Sequence, residues 1–223
     1  MPASVHKAAL VLDLFSVERP DWGPTDVAGE LGIAKSTAHA LLAELTSVGL
    51  TERLPCGRYR LGWRTLELAR TKLATSGYGD ELRPTARRLA RHFGETVHVT
   101  AWERGRVLYV ASERPPDGVA APAEPVAADL TPPGTVLLAE RAGAGSGLEP
   151  GELERTRRLG YAVGTQRALE GVDCAAAPIR TSDGPATAAL ALCAPRDRFQ
   201  VRRDEYARAI AGAGEWIARS VRR

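Results

Sequence analysis

The sequence predicts an α+β chain of two parts, a mostly helical N-terminal part and a C-terminal part in which helices cover a largely antiparallel sheet. Two patterns predict this fold. Apolar residues recur at helical spacing through the first 50 residues, and paired strand-like runs joined by turn residues follow later in the chain. A length of 223 residues is enough for two parts that each bury a core.

Three helices are predicted first. The first covers residues 4–16, and the second begins near Thr25, the predicted N-cap, and ends at the turn residue Gly32. The third starts at about Lys35 and ends at Gly49, a residue typical of the position just beyond a helix. Its apolar residues have the spacing i, i+3, i+4, i+7 and i+10: Ala38, Leu41, Leu42, Leu45 and Val48.

A β-hairpin is predicted next, from residues 50–54 and 58–61 around a Pro/Gly turn. Three helices followed by a hairpin, with a glycine turn between the second and third helices, is the order of a winged helix-turn-helix. A further helix from about Trp63 leads to a linker-like stretch that ends at Gly79. We therefore divide the chain into a winged helix-turn-helix, residues 1–62, a linker helix and hinge, 63–79, and a C-terminal domain, 80–223.

The C-terminal part combines helices with paired strands, which is typical of an α+β domain. Residues 113–134 are rich in Pro and Ala and carry no clear periodicity. The predicted helices cover residues 80–93, 150–159 and 201–221, and the predicted strands cover 96–102, 107–111, 172–180 and 186–194.

Composition narrows the class of protein. The share of hydrophobic residues, 44%, is typical of a soluble globular chain, and the net charge of +3 permits nucleic-acid binding without arguing for it. No apolar run approaches the ~20 residues that span a bilayer, and the N-terminus lacks a secretory pattern. The three cysteines are widely spaced and fit neither a disulfide framework nor a metal site, so we expect a cytoplasmic protein.

No pattern for catalysis is present in the sequence. We find no nucleophile elbow, phosphate-binding loop, dinucleotide fingerprint or metal-ligand cluster. His98 has no second ligand at motif spacing, and we interpret it as a strand residue rather than a metal ligand. The sequence therefore predicts a protein that is not an enzyme and has no catalytic residue, metal or cofactor.

Several segments, in this order, resemble the IclR family of bacterial transcriptional regulators. They are Leu31–His39 and Val48–Leu50 in the first part, and Phe93–Val99, Glu154–Val163 and Gly171–Ile179 in the second. The resemblance implies a winged-helix domain joined by a linker helix to a GAF-like effector domain. It also implies a homodimer or homotetramer that represses or activates nearby operons, often in response to organic acids or aromatic metabolites.

The third helix would place its polar N-terminal side against operator DNA. Lys35, Ser36, Thr37 and His39 are the candidate contacts, because they offer a cation and donors for phosphates or base edges. Arg58 and Arg60 would contact DNA from the hairpin, and residues 51–75 hold six Lys or Arg against two Glu. Family members usually carry a basic residue after His39, whereas this chain has Ala40.

The resemblance places four residues in the effector pocket, Gly164, Cys174, Ala191 and Cys193, whose side chains offer few donors to a carboxylate. Backbone N–H groups near Gly134 are the remaining candidates, although two prolines beside it remove donors. A simple small acid is therefore a poor candidate, whereas a more apolar metabolite and no ligand at all both stay open. Cys174 and Cys193 are interpreted as buried apolar filler, with a redox pair across neighbouring strands as the alternative.

The sequence as a whole predicts a DNA-binding transcriptional regulator whose operator affinity responds to a small, rather apolar metabolite. The alternative is a dimeric DNA-binding regulator whose C-terminal domain only oligomerises. The two differ in whether any metabolite changes operator affinity, by a coupling of typically ~1–3 kcal/mol.

Overall fold

The computed structural model describes residues 3–75, 82–141, 147–180 and 184–220. Its chain forms two compact units, residues 1–76 and 77–223. The predicted hinge residues 76–79 lie outside the described residues, as do residues 142–146. Among the described helices, none is long and apolar enough to cross a membrane.

The first unit contains four helices and a small sheet among its described residues. The helices are α1 (Ala3–Asp13), α2 (Pro24–Leu31), α3 (Lys35–Ser47) and α4 (Arg64–Thr75), and the strands are β1 (Asp21–Trp22), β2 (Thr51–Arg53) and β3 (Tyr59–Leu61). The strands pair antiparallel in the order β1-β3-β2, so the predicted hairpin gains a third strand that the sequence analysis did not identify.

The core of the first unit confirms the helical spacing predicted from the sequence. Ala38, Leu42 and Leu45 of α3 are buried, but Val48 lies beyond the helix and is 45% exposed. The prediction of Thr25 as the N-cap of α2 was wrong. Gly23 occupies that position, because Pro24, with its fixed φ, forms the first helical residue.

The second unit is the predicted α+β fold. Its helices are α5 (Leu82–Phe93), α6 (Pro132–Glu140), α7 (Pro150–Leu159), α8 (Arg196–Val201) and α9 (Arg203–Ser220), with a 3-10 helix at Ala128–Leu130. Its strands are β4 (Thr96–Glu103), β5 (Arg106–Glu113), β6 (Val126–Ala127), β7 (Ala162–Thr165), β8 (Val172–Ile179) and β9 (Ala188–Pro195).

The six strands form one antiparallel sheet in the order β6-β5-β4-β9-β8-β7. Side chains from α5, α8 and α9 pack on one face of this sheet, and side chains from α6 pack on the other. We call the second face the α6 face. The predicted closing helix, residues 201–221, corresponds to α9, whereas the short helix α8 before it was not predicted. Val201, the first residue of that prediction, instead ends α8 and is 85% exposed.

Candidate functional site

α3 separates its buried and exposed sides cleanly at its N-terminal end. Ala38 is fully buried, whereas Lys35, Ser36 and His39 are exposed and Thr37 is half-buried. Lys35 and His39 are four residues apart and Ser36 and His39 three apart, so these exposed side chains share one face of the helix. The structure thus brings together Lys35, Ser36 and His39, whereas Thr37 lies on a different side of the helix.

The hairpin β2–β3 turns at Gly57, whose φ of 82° requires a conformation that glycine adopts without strain. Arg60 lies on β3 with 54% of its side chain exposed and pairs with Glu52 on β2. Arg53, on the opposite strand, is exposed, and its guanidinium lies 4.0 Å from the position that a Cβ at Gly57 would occupy. The sequence analysis counted the charge of Arg53 but did not single it out.

Arg58, the other arginine predicted to contact DNA, forms ion pairs within the protein. Its guanidinium pairs with the carboxylates of Asp21 on β1 and Asp26 on α2, the latter at 2.9 Å, and also donates to the Asp21 carbonyl at 2.9 Å. The hydrogen bond from Arg58 is the main cause that lowers the pKa of Asp26. These contacts hold the hairpin against α2, and they engage the Arg58 guanidinium in hydrogen bonds within the protein.

The α6 face of the second unit brings together the residues predicted to line an effector pocket. Cys174 lies directly opposite both Gly164 on β7 and Cys193 on β9, and Ala191 is two residues from Cys193 on the same face. Val136 and Leu137 of α6 pack over this region. The floor around it is built of alanines: Ala162, Ala176, Ala186, Ala189 and Ala191.

Cys174 and Cys193 form a disulfide, with their Cα atoms 4.2 Å apart. The interpretation of the two as unbridged apolar filler was wrong, and the alternative of a redox pair across neighbouring strands agrees with the structure. Antiparallel pairing aligns these two cysteines, which are 19 positions apart in the sequence. The bridged sulfurs have no thiol hydrogen to donate. Cys56 is free and exposed.

The backbone donors predicted near Gly134 are used inside the protein. The Gly134 N–H donates to Thr131 Oγ1 at 3.0 Å, and the Thr135 N–H donates to the Thr131 carbonyl at 2.9 Å. Gly134 also packs so tightly on the 3-10 helix that a Cβ would overlap the Ala128 carbonyl.

A cavity of about 290 Å³ opens beside this face, between α6, α7 and β7. Gly164, Thr131 and Thr135 lie on its wall. The charged residues around it are three carboxylates and one arginine: Asp129, Glu149, Glu152 and Arg167. This charge balance does not favour an anionic ligand.

A second polar feature of the α6 face was missed in the sequence. We call Thr96, His98, Tyr109, Ser112 and Gln166 the buried polar cluster, because Thr96, His98 and Gln166 are fully buried. His98 Nδ1 lies 2.8 Å from Ser112 Oγ, and Gln166 Nε2 donates a hydrogen bond to the Tyr109 hydroxyl. The rings of His98 and Tyr109 pack edge to face, with their centroids 5.1 Å apart. The alternation of side chains between the two faces of β4 was the only sequence signal that could have suggested this cluster.

The cluster is uncharged near neutral pH. Burial lowers the pKa of His98 to about 4, and burial raises the pKa of Tyr109 to about 12. Among the described residues, no group of three or more His, Cys, Asp or Glu side chains could hold a metal ion.

Family models match both units of the chain. The IclR helix-turn-helix domain matches residues 4–55, and the C-terminal domain of the bacterial transcriptional regulator IclR matches residues 150–219. The glycerol operon regulatory protein of Streptomyces coelicolor is 32% identical over 202 residues, which cover 79% of this chain and 78% of that protein. The transcriptional regulator XynR of Escherichia coli is 28% identical over 215 residues, which cover 85% of this chain and 84% of that protein.

Two solved structures share the fold over nearly the whole chain. The IclR transcriptional regulator of Alicyclobacillus acidocaldarius has a TM-score of 0.82 at 23% identity, covering 99% of both chains. An IclR homologue of Microbacterium hydrocarbonoxydans, solved with 4-hydroxybenzoate, has a TM-score of 0.79 at 24% identity, covering 98% of both. The family matches and the shared fold lead to one conclusion: this chain belongs to the IclR family of DNA-binding transcriptional regulators, which are not enzymes.

Proposed function

We propose that this regulator binds its operator with α3 in the major groove and the β2–β3 hairpin against the phosphate backbone. The observation that carries this proposal is the exposed face of α3, where Lys35, Ser36 and His39 lie together above a buried apolar face. Such a helix presents polar side chains to base edges while its packed side fixes its orientation.

Each contact has a distinct role in the proposal. Lys35 neutralises a phosphate, Ser36 and Thr37 donate to phosphates or base edges, and His39 contacts a base edge. Ala34, the N-cap of α3, has no acceptor in its side chain, so the first N–H groups of the helix also face the phosphate.

The hairpin contributes through Arg60 and Arg53. Arg60 is paired with Glu52 at an exposed position, where an ion pair is weak enough for a DNA phosphate to compete. Arg58 acts indirectly, because its pairs with Asp21 and Asp26 hold the hairpin against α2.

We further propose that the second unit binds a small, rather apolar metabolite at the α6 face, near Gly164, Cys174, Ala191 and Cys193. The alanine floor and the bridged cysteines support an apolar ligand. An IclR homologue of the same fold has been solved with 4-hydroxybenzoate, which supports a small organic ligand, although that compound is an anion. Gly134 supports the pocket by shape rather than by donating, since its N–H is already bonded.

Residues 63–79 serve in this proposal as the linker helix and hinge of a homodimer or homotetramer, between domains 1–62 and 80–223. Helix α4 exposes an apolar side for a second copy, on which Leu66, 42% exposed, lies three positions before the exposed Ala69. The site of action is the bacterial cytoplasm, because operator DNA lies there.

The test is a fluorescence-anisotropy titration of the full chain with promoter DNA flanking its own gene, across a series of salt concentrations. Binding should exceed that of a random duplex and fall with salt. The double variant Lys35→Gln, Arg60→Gln should lower the slope of log K against log salt by about 2 for each protomer bound to DNA, since each phosphate contact contributes roughly 0.9.

Arg104→Gln is the matched control, because Arg104 is 91% exposed in the second unit and has no place in the proposed interface. Its slope should equal that of the wild type. An unchanged slope in the double variant would remove Lys35 and Arg60 from the interface. An operator affinity that no metabolite changes would favour the ligand-independent alternative.

A further inference from the structure

Three buried polar atoms in the second unit have no hydrogen-bond partner among the described residues: Thr96 Oγ1, His98 Nε2 and Gln166 Oε1. All three belong to the buried polar cluster. An unsatisfied buried polar atom destabilises the folded state, so such atoms are rare and their coincidence in one cluster requires an explanation.

These atoms border the predicted effector residues. Thr96 lies directly opposite Cys193 across the β4–β9 pair, and His98 lies directly opposite Ala191. Thr96 and His98 are two positions apart on one strand, which places their side chains on the same face about 7 Å apart. A ligand above Ala191 and Cys193 would therefore meet both of them.

The cluster also reaches solvent. Thr96 and His98 are fully buried, but on the neighbouring strand Tyr109 is half-buried and Ser112 is exposed. The backbone at Gly118 covers Thr96 so closely that a Cβ there would overlap Thr96 Oγ1. Gly118 thus covers one side of Thr96, and the cluster meets solvent at Ser112 on β5.

The side chains of the buried polar cluster disfavour a charged ligand. Its five side chains are a hydroxyl, an imidazole, a phenol, a second hydroxyl and an amide, and the lowered pKa keeps the imidazole neutral. A carboxylate placed among them would lose its hydration without gaining an opposite charge, which is costly. A neutral hydroxyl or carbonyl would gain hydrogen bonds at a smaller desolvation cost.

We propose that the buried polar cluster is the recognition subsite of the effector pocket, and that it binds an uncharged ligand carrying hydroxyl or carbonyl groups, such as an alcohol, a sugar or a phenol. Thr96 Oγ1, His98 Nε2 and Gln166 Oε1 are the atoms that contact those groups. This inference rests on the proposed effector-binding function of the second unit and names the class of its ligand.

The experiment compares matched neutral and anionic compounds by isothermal titration calorimetry on the full chain. The pairs are glycerol with glycerate, glucose with gluconate, and 4-hydroxybenzyl alcohol with 4-hydroxybenzoate. In at least one pair, the neutral compound should bind at least tenfold more tightly than its acid. Tighter binding of the acids, or no binding by any neutral compound, would overturn the proposal.

Two threonines on the same strand face give a matched test of the site. Thr96→Val removes an unpaired hydroxyl and should weaken binding of the neutral compound about tenfold without lowering the melting temperature. Thr100→Val removes a hydroxyl that already donates to the Ala189 carbonyl at 3.2 Å, so it should lower the melting temperature and leave ligand affinity unchanged.

Equal ligand affinity in wild type and Thr96→Val would show that the cluster is an internal polar network and would overturn the subsite. Operator binding without ligand is measured on the same preparations. Loss of that binding in the wild type would refute the proposed DNA interface instead, so the two failures are distinguishable.

Discussion

Buried charges in the second unit are paired, in contrast to the buried polar cluster. Glu95, 4% exposed, accepts two hydrogen bonds of 2.8 Å from the Arg198 guanidinium. Asp173, 3% exposed, accepts from Gln200 at 2.6 Å and from Arg196 at 3.4 Å. The same chain thus satisfies its buried carboxylates while it leaves neutral groups near Ala191 unsatisfied. This contrast supports a binding role for the cluster rather than poor packing.

The buried imidazole of His98 makes stability depend on pH. Burial lowers its pKa from 6.5 to about 4, so the unfolded chain binds a proton at a higher pH than the folded chain. Neutral His98 makes its full contribution to the free energy of unfolding above pH 6.5. That contribution is lost as the pH falls from 6.5 toward 4.

We expect the free energy of unfolding of the wild type to fall by about 3 kcal/mol more than that of His98→Gln between about pH 7 and pH 4. Urea unfolding of the full chain at a series of pH values measures both. Parallel curves for the two proteins would show that His98 keeps an ordinary pKa.

Single residues show where sequence-based prediction stops. The exposed side of α3 follows directly from helical spacing, because the apolar residues fix which side faces the core. The ion pairs of Arg58 could not be predicted, since they form with carboxylates 37 and 32 positions away in the sequence. The same holds for Cys174 and Cys193, whose bridge depends on strand register.

Helix α6 shows how one small residue fixes the position of an element. Thr131 caps the helix, two prolines occupy its first positions, and Gly134 packs on the Ala128 carbonyl. A side chain at Gly134 would push α6 away from the 3-10 helix. Because α6 covers the alanine floor, its position sets the depth of the proposed effector pocket.

We expect Gly134→Ala to lower the free energy of unfolding by about 2 kcal/mol, as is typical of overpacking at a buried position. Gly151→Ala in the first turn of α7 is the matched control, because a Cβ there meets nothing within 4 Å. That variant should be unchanged or more stable by about 0.5 kcal/mol. Chemical denaturation measures both, and equal stability of the two variants would contradict the close approach.

Elements with a long periodic pattern were predicted well, and short or irregular ones were not. The three helices and the hairpin of the first unit follow from apolar spacing and turn residues. Strand β1 has only two residues, too few for any alternation, and α6 begins with prolines that obscure its helical pattern. Helix α8 has only six residues, too few for a clear helical repeat, and it was not predicted.

At the scale of the whole molecule, the proposed assembly depends on α4. No residue of this helix is buried within the chain, and its apolar side includes Leu66. An apolar helix side of this kind is expected to pack against a partner.

We expect the full chain to sediment as a dimer or tetramer at micromolar concentration. The double variant Leu66→Glu, Ala69→Glu should shift it toward smaller species, because it places charge in the proposed interface. Val17→Glu, at a position 75% exposed outside that helix, should sediment like the wild type. A monomeric wild type would refute the assembly.

The alanine floor also bears on how this regulator could change over evolutionary time. Every alanine codon is one base away from a serine codon, and the exchange adds a hydroxyl with little added volume. At Ala191 such a step would place a new donor directly opposite His98, and at Ala189 directly opposite Thr100, without reshaping the sheet. If the proposed effector pocket lies here, point mutations would redirect it to a new metabolite in single steps, while α3 stays unchanged.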